Sequence, residues 1–372
     1  MAQPATALID LAAGRSPDVE SLTSELVDSA IEHRMEGLLY SWATAENRLG
    51  SDAGNTLAAT ETRNWARNEL LATHAVRLEA DAAAHGVEIC FMKGVVLESQ
   101  IYSRRGERPT SDLDVIVRGG STRDISAWVE SLQPRHRWIP QLETLISGGH
   151  IQAIDLSVAG VQVDLHFDPL KLEIVGSRAA SDLLARVVKR DIGVGTVTGL
   201  DAEASLVLAL LHLNKDRFRR LIGFADAQRL VDRVRDWDWI IDYARAERLT
   251  TPLLASLDVV SNSLGTAPHR VSSGSTVDRR LWNRVWPERT RLLGYQGAVR
   301  YRYRQMLIPL FDPRRWREAM VGAGRRLFPP RPLVGAFFPE RRGGYLTTLL
   351  VGRIALRLER ARRRRAVGDA TR

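Results

Sequence analysis

Two short segments in which apolar and polar residues alternate constrain the fold of this chain most strongly. Residues 111–117 read Ser-Asp-Leu-Asp-Val-Ile-Val, and residues 161–167 read Val-Gln-Val-Asp-Leu-His-Phe. Successive side chains of a β-strand point to opposite faces of its sheet. Asp112 and Asp114 are therefore predicted to share one face of the first strand, and Asp164 the equivalent face of the second. The apolar residues between them face a core, so we expect a sheet with an acidic face.

The three carboxylates converge if the two strands pair. Carboxylates held close together repel one another, so a divalent cation is their natural partner. Three acids can hold two Mg²⁺ ions about 3.5–4 Å apart, an arrangement that supports in-line phosphoryl or nucleotidyl transfer. Asp112 and Asp114 alone form a common Asp-x-Asp pattern, which is equally typical of a solvated strand end. The third acid, Asp164, is what favours a metal site.

A turn between a strand at 87–92 and a helix at 95–102 is a second candidate for chemistry. Gly94 lets the backbone approach a phosphate, and the start of the following helix offers free N–H groups. Lys93 could add a positive charge for a triphosphate. The alternative is an ordinary strand-to-helix turn, and for Lys-Gly alone that alternative is the better interpretation.

Other polar residues near these segments have both a functional and a structural interpretation. His166 shares a strand face with Asp164 and could contact substrate, or it could support the site through hydrogen bonds. Arg108 could bind phosphate, or it could form a salt bridge with Glu107 or Asp112. Further candidates for the lining of the same cleft, with helix packing or a surface charge as the alternative, are His212, Lys215 and Asp226.

The apolar pattern divides the chain into helical and mixed parts. Ser16-Pro17-Asp18 has the composition of a helix start, and a long helix is predicted over residues 57–84. Strands are predicted at 87–92, 113–117, 150–157, 161–167 and 193–200, with a tight turn at 158–160. We therefore expect four parts: an N-terminal helical segment (1–85), an α/β core (86–200), a helical bundle (201–312) and a basic C-terminal segment (313–372).

The charge is concentrated at one end of the chain. The net charge is +9, but residues 313–372 contain sixteen Arg and four acids and so carry +12, which leaves −3 for residues 1–312. A near-neutral body argues against a protein that coats nucleic acid. An Arg-rich amphipathic helix in the tail could contact anionic lipid, RNA or an acidic partner, with a solvated helix end as the alternative.

The cysteine count and the apolar runs bear on the location of the protein. The single cysteine, Cys90, excludes a disulfide framework and a cysteine-based zinc site within one chain. It falls in an apolar run and is predicted to be a buried thiol. No run of eighteen apolar residues and no signal-peptide pattern occur, so a cytoplasmic protein without a membrane span is expected.

Taken together, these motifs resemble a known family. The chain resembles the uncharacterised nucleotidyltransferase-like family of the polymerase-β nucleotidyltransferase superfamily. The residues that carry the resemblance are Lys93-Gly94, Arg108, the strand at 111–117 and Val163-Asp164-Leu165-His166. The resemblance spans roughly residues 25–360. Its less specific helical half includes Leu97, Tyr102, His212, Phe218, Leu221, Asp226, Asp236-Trp237-Asp238 and Leu327-Phe328-Pro329-Pro330.

The resemblance implies an α+β fold, with a small mixed sheet flanked by helices, and transfer of a nucleoside monophosphate from an NTP with Mg²⁺. The resemblance also implies that Asp112 and Asp114 bind metal. Asp164 would be the third carboxylate and the candidate base for an acceptor hydroxyl. The residues expected to contact the nucleotide, for which ATP is the default, are Lys93, Gly94, Arg108, Ser111 and His166. The superfamily usually has Gly-Ser where this chain has Lys93-Gly94.

Two classes of function remain open at this level. The first is a transferase that acts on a small-molecule, peptide or protein acceptor, with nucleic acid less favoured because the body is near neutral. The second is a non-catalytic protein of the same fold that senses a nucleotide or docks a peptide or protein. Three like charges held together favour the enzyme, because a scaffold has no need of them.

Overall fold

A computed structural model describes residues 4–132, 141–147, 151–167, 182–216, 218–247 and 249–266, together with residues 331, 334 and 344. The strands are β1 (Glu88–Phe91), β2 (Leu113–Gly119), β3 (Ala153–Val158), β4 (Val161–His166), β5 (Val187–Asp191) and β6 (Thr196–Leu200). The helices before β3 are α1 (Pro4–Ala12), α2 (Ser24–His33), α3 (Glu36–Ala45), α4 (Asp52–Ala84), α5 (Val95–Ile101), α6 (Thr122–Ser131) and α7 (Leu142–Ser147). The helices after β6 are α8 (Ala202–Lys215), α9 (Leu221–Val231), α10 (Trp237–Ala246) and α11 (Thr250–Leu264).

The six strands form one mixed sheet in the order β3-β4-β2-β1-β6-β5. The pairs β2–β4 and β1–β6 are parallel, and the other three neighbouring pairs are antiparallel. Helices flank this sheet, so the α+β class predicted from the sequence is confirmed.

Both faces of the sheet are buried. On one face, Leu113, Val115 and Leu165 pack with the apolar side of α4, α6 and α7. On the other face, Ile116 and Cys90 belong to a second core that includes α8 and α9. Asp114, the acid of β2, therefore lies on a face that helices cover, at the edge of a core.

The N-terminal region differs from the prediction. Residues 16–20 are not helical, so a helix start at Ser16 is wrong, and α1 precedes this segment. Thr23 is the N-cap of α2, and its hydroxyl accepts a hydrogen bond from the Leu26 N–H at 3.2 Å. That start places Leu26 and Val27 on the buried side of α2. The long helix is confirmed and begins earlier than predicted, at Asp52, with Ser51 as its N-cap.

The predicted hairpin between β3 and β4 is confirmed. Ala159 and Gly160 have φ angles of 48° and 83°, and this pair of left-handed residues makes the tight turn. The strand β5 was not predicted. It is an edge strand that pairs with β6 alone, and its sequence Val-Val-Lys-Arg-Asp shows no alternation that would mark a buried face.

Two further expectations concern burial and membrane spanning. Cys90 is fully buried, and burial raises the pKa of its thiol to about 12. Within the described ranges, no helix has the length and apolarity needed to cross a membrane. The Arg-rich run at 362–365 and most of the segment 313–372 lie outside the described residues.

Candidate functional site

Parallel pairing of β2 and β4 brings the predicted acids together. Asp114 lies directly opposite Asp164, and Ile116 lies opposite His166. Asp112 comes immediately before β2 and lines the same cleft as the other two acids. Strand alternation and parallel pairing thus bring Asp114 and Asp164 to one opening, whereas Asp112 reaches it from the segment before β2 and not, as the sequence analysis expected, from a position on the strand.

Asp114, Asp164 and His166 form the tightest group in this opening. His166 Nε2 lies 3.4 Å from Asp114 Oδ1 and 3.1 Å from Asp164 Oδ2. One ligand atom from each of the three residues lies within 4.8 Å of the others. The His166 ring is 3% exposed, and its Nδ1 has no hydrogen-bond partner among the described residues. Two carboxylates and a buried imidazole at this spacing can hold a divalent cation.

Lys93 connects this group to the helical side of the cleft. Its ammonium group lies 3.5 Å from both oxygens of Asp114 and 3.1 Å from His212 Nε2. His212 Nε2 in turn lies 3.2 Å from Asp216 Oδ2. A chain of neighbouring polar groups, Asp114, Lys93, His212 and Asp216, therefore runs from the sheet to the end of α8.

These contacts determine the charge states in the cleft. Burial raises the pKa of Asp114, but the charges of Lys93 and His166 more than offset that effect and hold the pKa well below its usual range. Burial lowers the pKa of His212; the hydrogen bond to Asp216 opposes that change, while the Lys93 charge adds to it. The arrangement favours an ionised Asp114 beside a neutral His212.

Gly94 lies between β1 and α5, where the backbone passes close to the segment before β2. Its backbone has φ 62° and ψ −127°, a region that residues with a Cβ rarely adopt. A Cβ at this position would lie 2.8 Å from Thr110 Cγ2 and 3.4 Å from the carbonyl oxygen of Asp112. The glycine is therefore required by local packing, independently of any ligand.

A buried polar network holds the segment that carries Asp112. Asn68 Nδ2 donates to Glu98 Oε1 and to the carbonyl oxygen of Arg108, both at 2.8 Å. Asn68 Oδ1 accepts from the Thr110 N–H at 3.1 Å. Ser111 Oγ lies beyond this network and donates to Asp112 Oδ1 at 2.9 Å. The helix α4 thereby sets the position of the loop at the mouth of the cleft.

Arg108 is held by an acid that the sequence did not suggest as its partner. Its Nε and Nη2 groups donate to the two oxygens of Asp226 on α9, at 3.0 and 2.9 Å. Tyr102 also donates to Asp226, at 2.6 Å. Burial lowers the pKa of Arg108, but the charge of Asp226 and its hydrogen bonds, together with Tyr102 and Glu98, outweigh burial and make the net change upward. Glu107, one of the two expected partners, accepts from Ser41 instead.

The cleft has a volume of about 260 Å³ and lies between the sheet and the helices α2, α8 and α9. His212 and Asp226 line it, in agreement with the sequence analysis, and the side chain of Lys215 lies outside the described part of the structure. The sequence analysis missed three arginines and one acid in the lining. These are Arg34, Arg219, Arg220 and Asp216. They fall at a helix end or in a connection, where no periodic pattern marks them.

A comparison with known families identifies a match to this chain. A family model described as uncharacterised nucleotidyltransferase matches residues 20–265, which is about two thirds of the chain. The chain belongs to this family, so the family resemblance seen in the sequence is confirmed over residues 20–265. No curated protein matches the chain.

Proposed function

We propose that this member of the uncharacterised nucleotidyltransferase family transfers a nucleoside monophosphate from an NTP to a small-molecule, peptide or protein acceptor. ATP is the default donor. The observation that carries the proposal is the placement of Asp114 opposite Asp164 on parallel strands, with His166 beside both. Asp114 and Asp164 repel each other unless a positive charge lies beside them, which is expected of a site that binds a cation rather than one that only packs.

The residues present suit a divalent cation. Asp114, Asp164 and His166 offer ligand atoms within 4.8 Å of one another, and Asp112 offers a further carboxylate from the same cleft. Mg²⁺ prefers such carboxylate oxygens and completes its shell with water and substrate phosphates. When bound, the cation would neutralise charge at the transferring phosphorus and make the acceptor oxygen more acidic.

The chain's own residues would bind and orient the two substrates. Lys93 is our candidate for a charge contact with the triphosphate, because its ammonium group already faces the cleft. Gly94 and Ser111 line the opening where the phosphates would enter. Asp164, whose side chain is more exposed than that of Asp114, is our candidate to accept the proton of an acceptor hydroxyl.

One observation favours a second function, in which the cleft binds a nucleotide without turnover. The Lys93 ammonium lies within 3.5 Å of both Asp114 oxygens, so a cation of the protein itself already neutralises one metal-site acid. Lys93-Gly94 also replaces the Gly-Ser that the wider superfamily usually has. A sensing or docking protein could use the Lys93–Asp114 pair as a permanent part of its pocket.

Binding and turnover measured on matched variants separate the two functions. We would compare the wild type with Asp114→Asn and with Asp28→Asn, an exposed carboxylate on α2 outside the cleft lining. Calorimetry with Mn²⁺ or Mg²⁺ measures metal binding, and labelled NTPs with a panel of acceptors report pyrophosphate release. We expect Asp114→Asn to weaken metal binding and to lower transfer by about a hundredfold or more, with Asp28→Asn unchanged.

Two results would decide against transfer. If the wild type binds neither metal nor any NTP, the transferase proposal fails. If it binds NTP tightly and releases no pyrophosphate with any acceptor in the panel, the nucleotide-binding function is the better account.

A further inference from the structure

Three arginines in the cleft form no salt bridge with an acid among the described residues. Arg34 ends α2, and Arg219 and Arg220 lie in the connection between α8 and α9. All three line the cavity. Their side chains form no hydrogen bond or salt bridge within the part of the chain that the structure describes. The other two cleft cations differ, because Arg108 is paired with Asp226 and Lys93 with Asp114.

Arg34 lies close enough to two other cleft arginines, Arg108 and Arg220, for their charges to repel its own. Burial lowers the pKa of Arg34, and the nearby charges of Arg108 and Arg220 lower it further, while Glu36 and Asp112 offset part of this effect. Arg34 also occupies a left-handed backbone position, with φ 58°, where glycine or asparagine is the usual residue. An arginine at such a position, beside other cations, indicates a ligand that supplies the missing negative charge.

The chemistry of the cluster points to a phosphate rather than to a single carboxylate. Each guanidinium presents five N–H donors in a planar fork that matches two phosphate oxygens. Three such groups around one opening suit a dianion or a polyphosphate, because a monoanionic carboxylate would leave most of the charge and most of the donors unused.

We propose that Arg34, Arg219 and Arg220 form a subsite for a phosphoryl group on the helical wall of the cleft. The phosphate has two possible sources: the terminal phosphates of the nucleotide and a phosphate carried by the acceptor. Assigning the source rests on the proposed nucleotidyl transfer, whereas the presence of the subsite does not. The arginines hold the substrate from the side opposite the sheet, which leaves the acids of β2 and β4 facing the reacting phosphorus.

Calorimetry without divalent cations tests the subsite independently of turnover. Tripolyphosphate and orthophosphate are titrated in EDTA into the wild type, into the Arg219→Gln/Arg220→Gln double variant and into Arg34→Asn, since asparagine tolerates the left-handed backbone. The control is Arg77→Gln/Arg245→Gln, two exposed arginines outside the cleft. We expect at least tenfold weaker tripolyphosphate binding in both cleft variants and a change below twofold in the control.

Nucleotide titrations then identify the source of the phosphate. If the subsite holds the end of the nucleotide, the cleft variants lose ATP affinity tenfold and keep that of AMP. If it holds the acceptor, they keep ATP affinity and lose orthophosphate binding to the ATP-saturated protein. Thermal unfolding and circular dichroism verify that the variants are folded. If the Arg219→Gln/Arg220→Gln double variant does not fold, Arg34→Asn still tests the subsite.

Two outcomes overturn the proposal. One is a wild type that binds neither tripolyphosphate nor orthophosphate. The other is a pair of folded cleft variants that bind both anions as tightly as the control does. Failure of nucleotidyl transfer alone leaves the result intact, because no arm of the anion titration depends on metal or on chemistry.

Discussion

The ammonium group of Lys93 lies 3.5 Å from each carboxylate oxygen of Asp114, at the point where the sheet meets the helices. This contact changes what the acidic cluster means for stability. Three acids with no partner would destabilise the folded chain by repulsion, and removing one would then be favourable. Because Lys93 is present, Asp114 is instead one partner of an ion pair. The Lys93 side chain is only 17% exposed and the Asp114 side chain 13%.

The first prediction follows from that contact. In the metal-free protein, Asp114→Asn should lower the free energy of unfolding by about 1–3 kcal/mol, because it leaves the Lys93 charge without its acid in a partly buried place. Urea denaturation of the wild type, Asp114→Asn and the exposed control Asp28→Asn measures the difference. An increase in stability would mean that repulsion among the acids outweighs the ion pair.

The second prediction concerns the link between Arg108 and α9. Asp226→Asn removes the counter-charge of a buried guanidinium and should cost about 3–5 kcal/mol of folding free energy. Tyr102→Phe removes one neutral donor to the same carboxylate and should cost about 1 kcal/mol. Denaturation of both variants gives the ratio, and similar losses would show that Arg108 finds another partner.

The third prediction concerns the network under the mouth of the cleft. Asn68 makes three hydrogen bonds while fully buried, so Asn68→Ala should lower the free energy of unfolding by about 2–3 kcal/mol. Asn64 on the same helix makes a single described side-chain bond, to Glu36 at 3.0 Å. Asn64→Ala is therefore the matched control, with an expected loss of about 1 kcal/mol.

Hydrogen exchange gives a second measure of the same network. The Thr110 amide loses its acceptor in Asn68→Ala and should exchange faster, whereas it should keep its protection in Asn64→Ala. Equal protection of Thr110 in both variants would show that the segment before β2 is held by contacts other than Asn68.

The part of the site on two strands could be predicted, because alternation is a local property of the sequence. Asp114 and Asp164 each sit between apolar residues, so their shared face follows from the two-residue period. Their pairing needs only that the two strands be parallel neighbours. The long helix α4 was predictable for the same reason, since its apolar stripe repeats along one continuous segment.

The helical wall of the cleft could not be predicted, because its contacts join segments far apart in the chain. Arg108 and Asp226 are 118 residues apart, and no local pattern selects that acid from the others. Arg34 enters the cleft from the end of α2, whereas Arg220 enters from a connection after the sheet. Such contacts depend on how α2 and α9 pack, which is a property of the whole fold rather than of a segment.

The fourth prediction is a pH dependence centred on His33 at the end of α2. Its ring is 7% exposed, and burial lowers its pKa below the ordinary value of 6.5, although Glu32 opposes that change. The unfolded chain therefore binds the proton more readily than the folded one. The contribution of neutral His33 to folding stability is therefore present above the ordinary pKa and is lost as the pH falls through the pKa of the folded state.

Unfolding measured by urea from pH 7 to about pH 5 checks this sign. The wild type should lose stability over this range, and His33→Gln should lose less, so the difference between the two proteins narrows as the solution becomes acidic. Parallel curves would show that His33 has the same pKa in the folded and unfolded chains.

The last prediction separates backbone strain from overlap at Gly94. Gly94→Ala should cost about 1–3 kcal/mol, because its φ of 62° and ψ of −127° disfavour a Cβ and because that Cβ would overlap Thr110 Cγ2. Gly160 has φ 83° with nothing within 4 Å of an added Cβ, so Gly160→Ala measures the cost of a positive φ alone, about 1 kcal/mol.

Thr110→Ser removes the overlapping methyl group and keeps the hydroxyl that donates to the Arg108 carbonyl. The Gly94→Ala/Thr110→Ser double variant should therefore recover the part of the stability loss that comes from the overlap, but not the part that comes from the backbone. A double variant no more stable than Gly94→Ala would place the whole cost in the backbone.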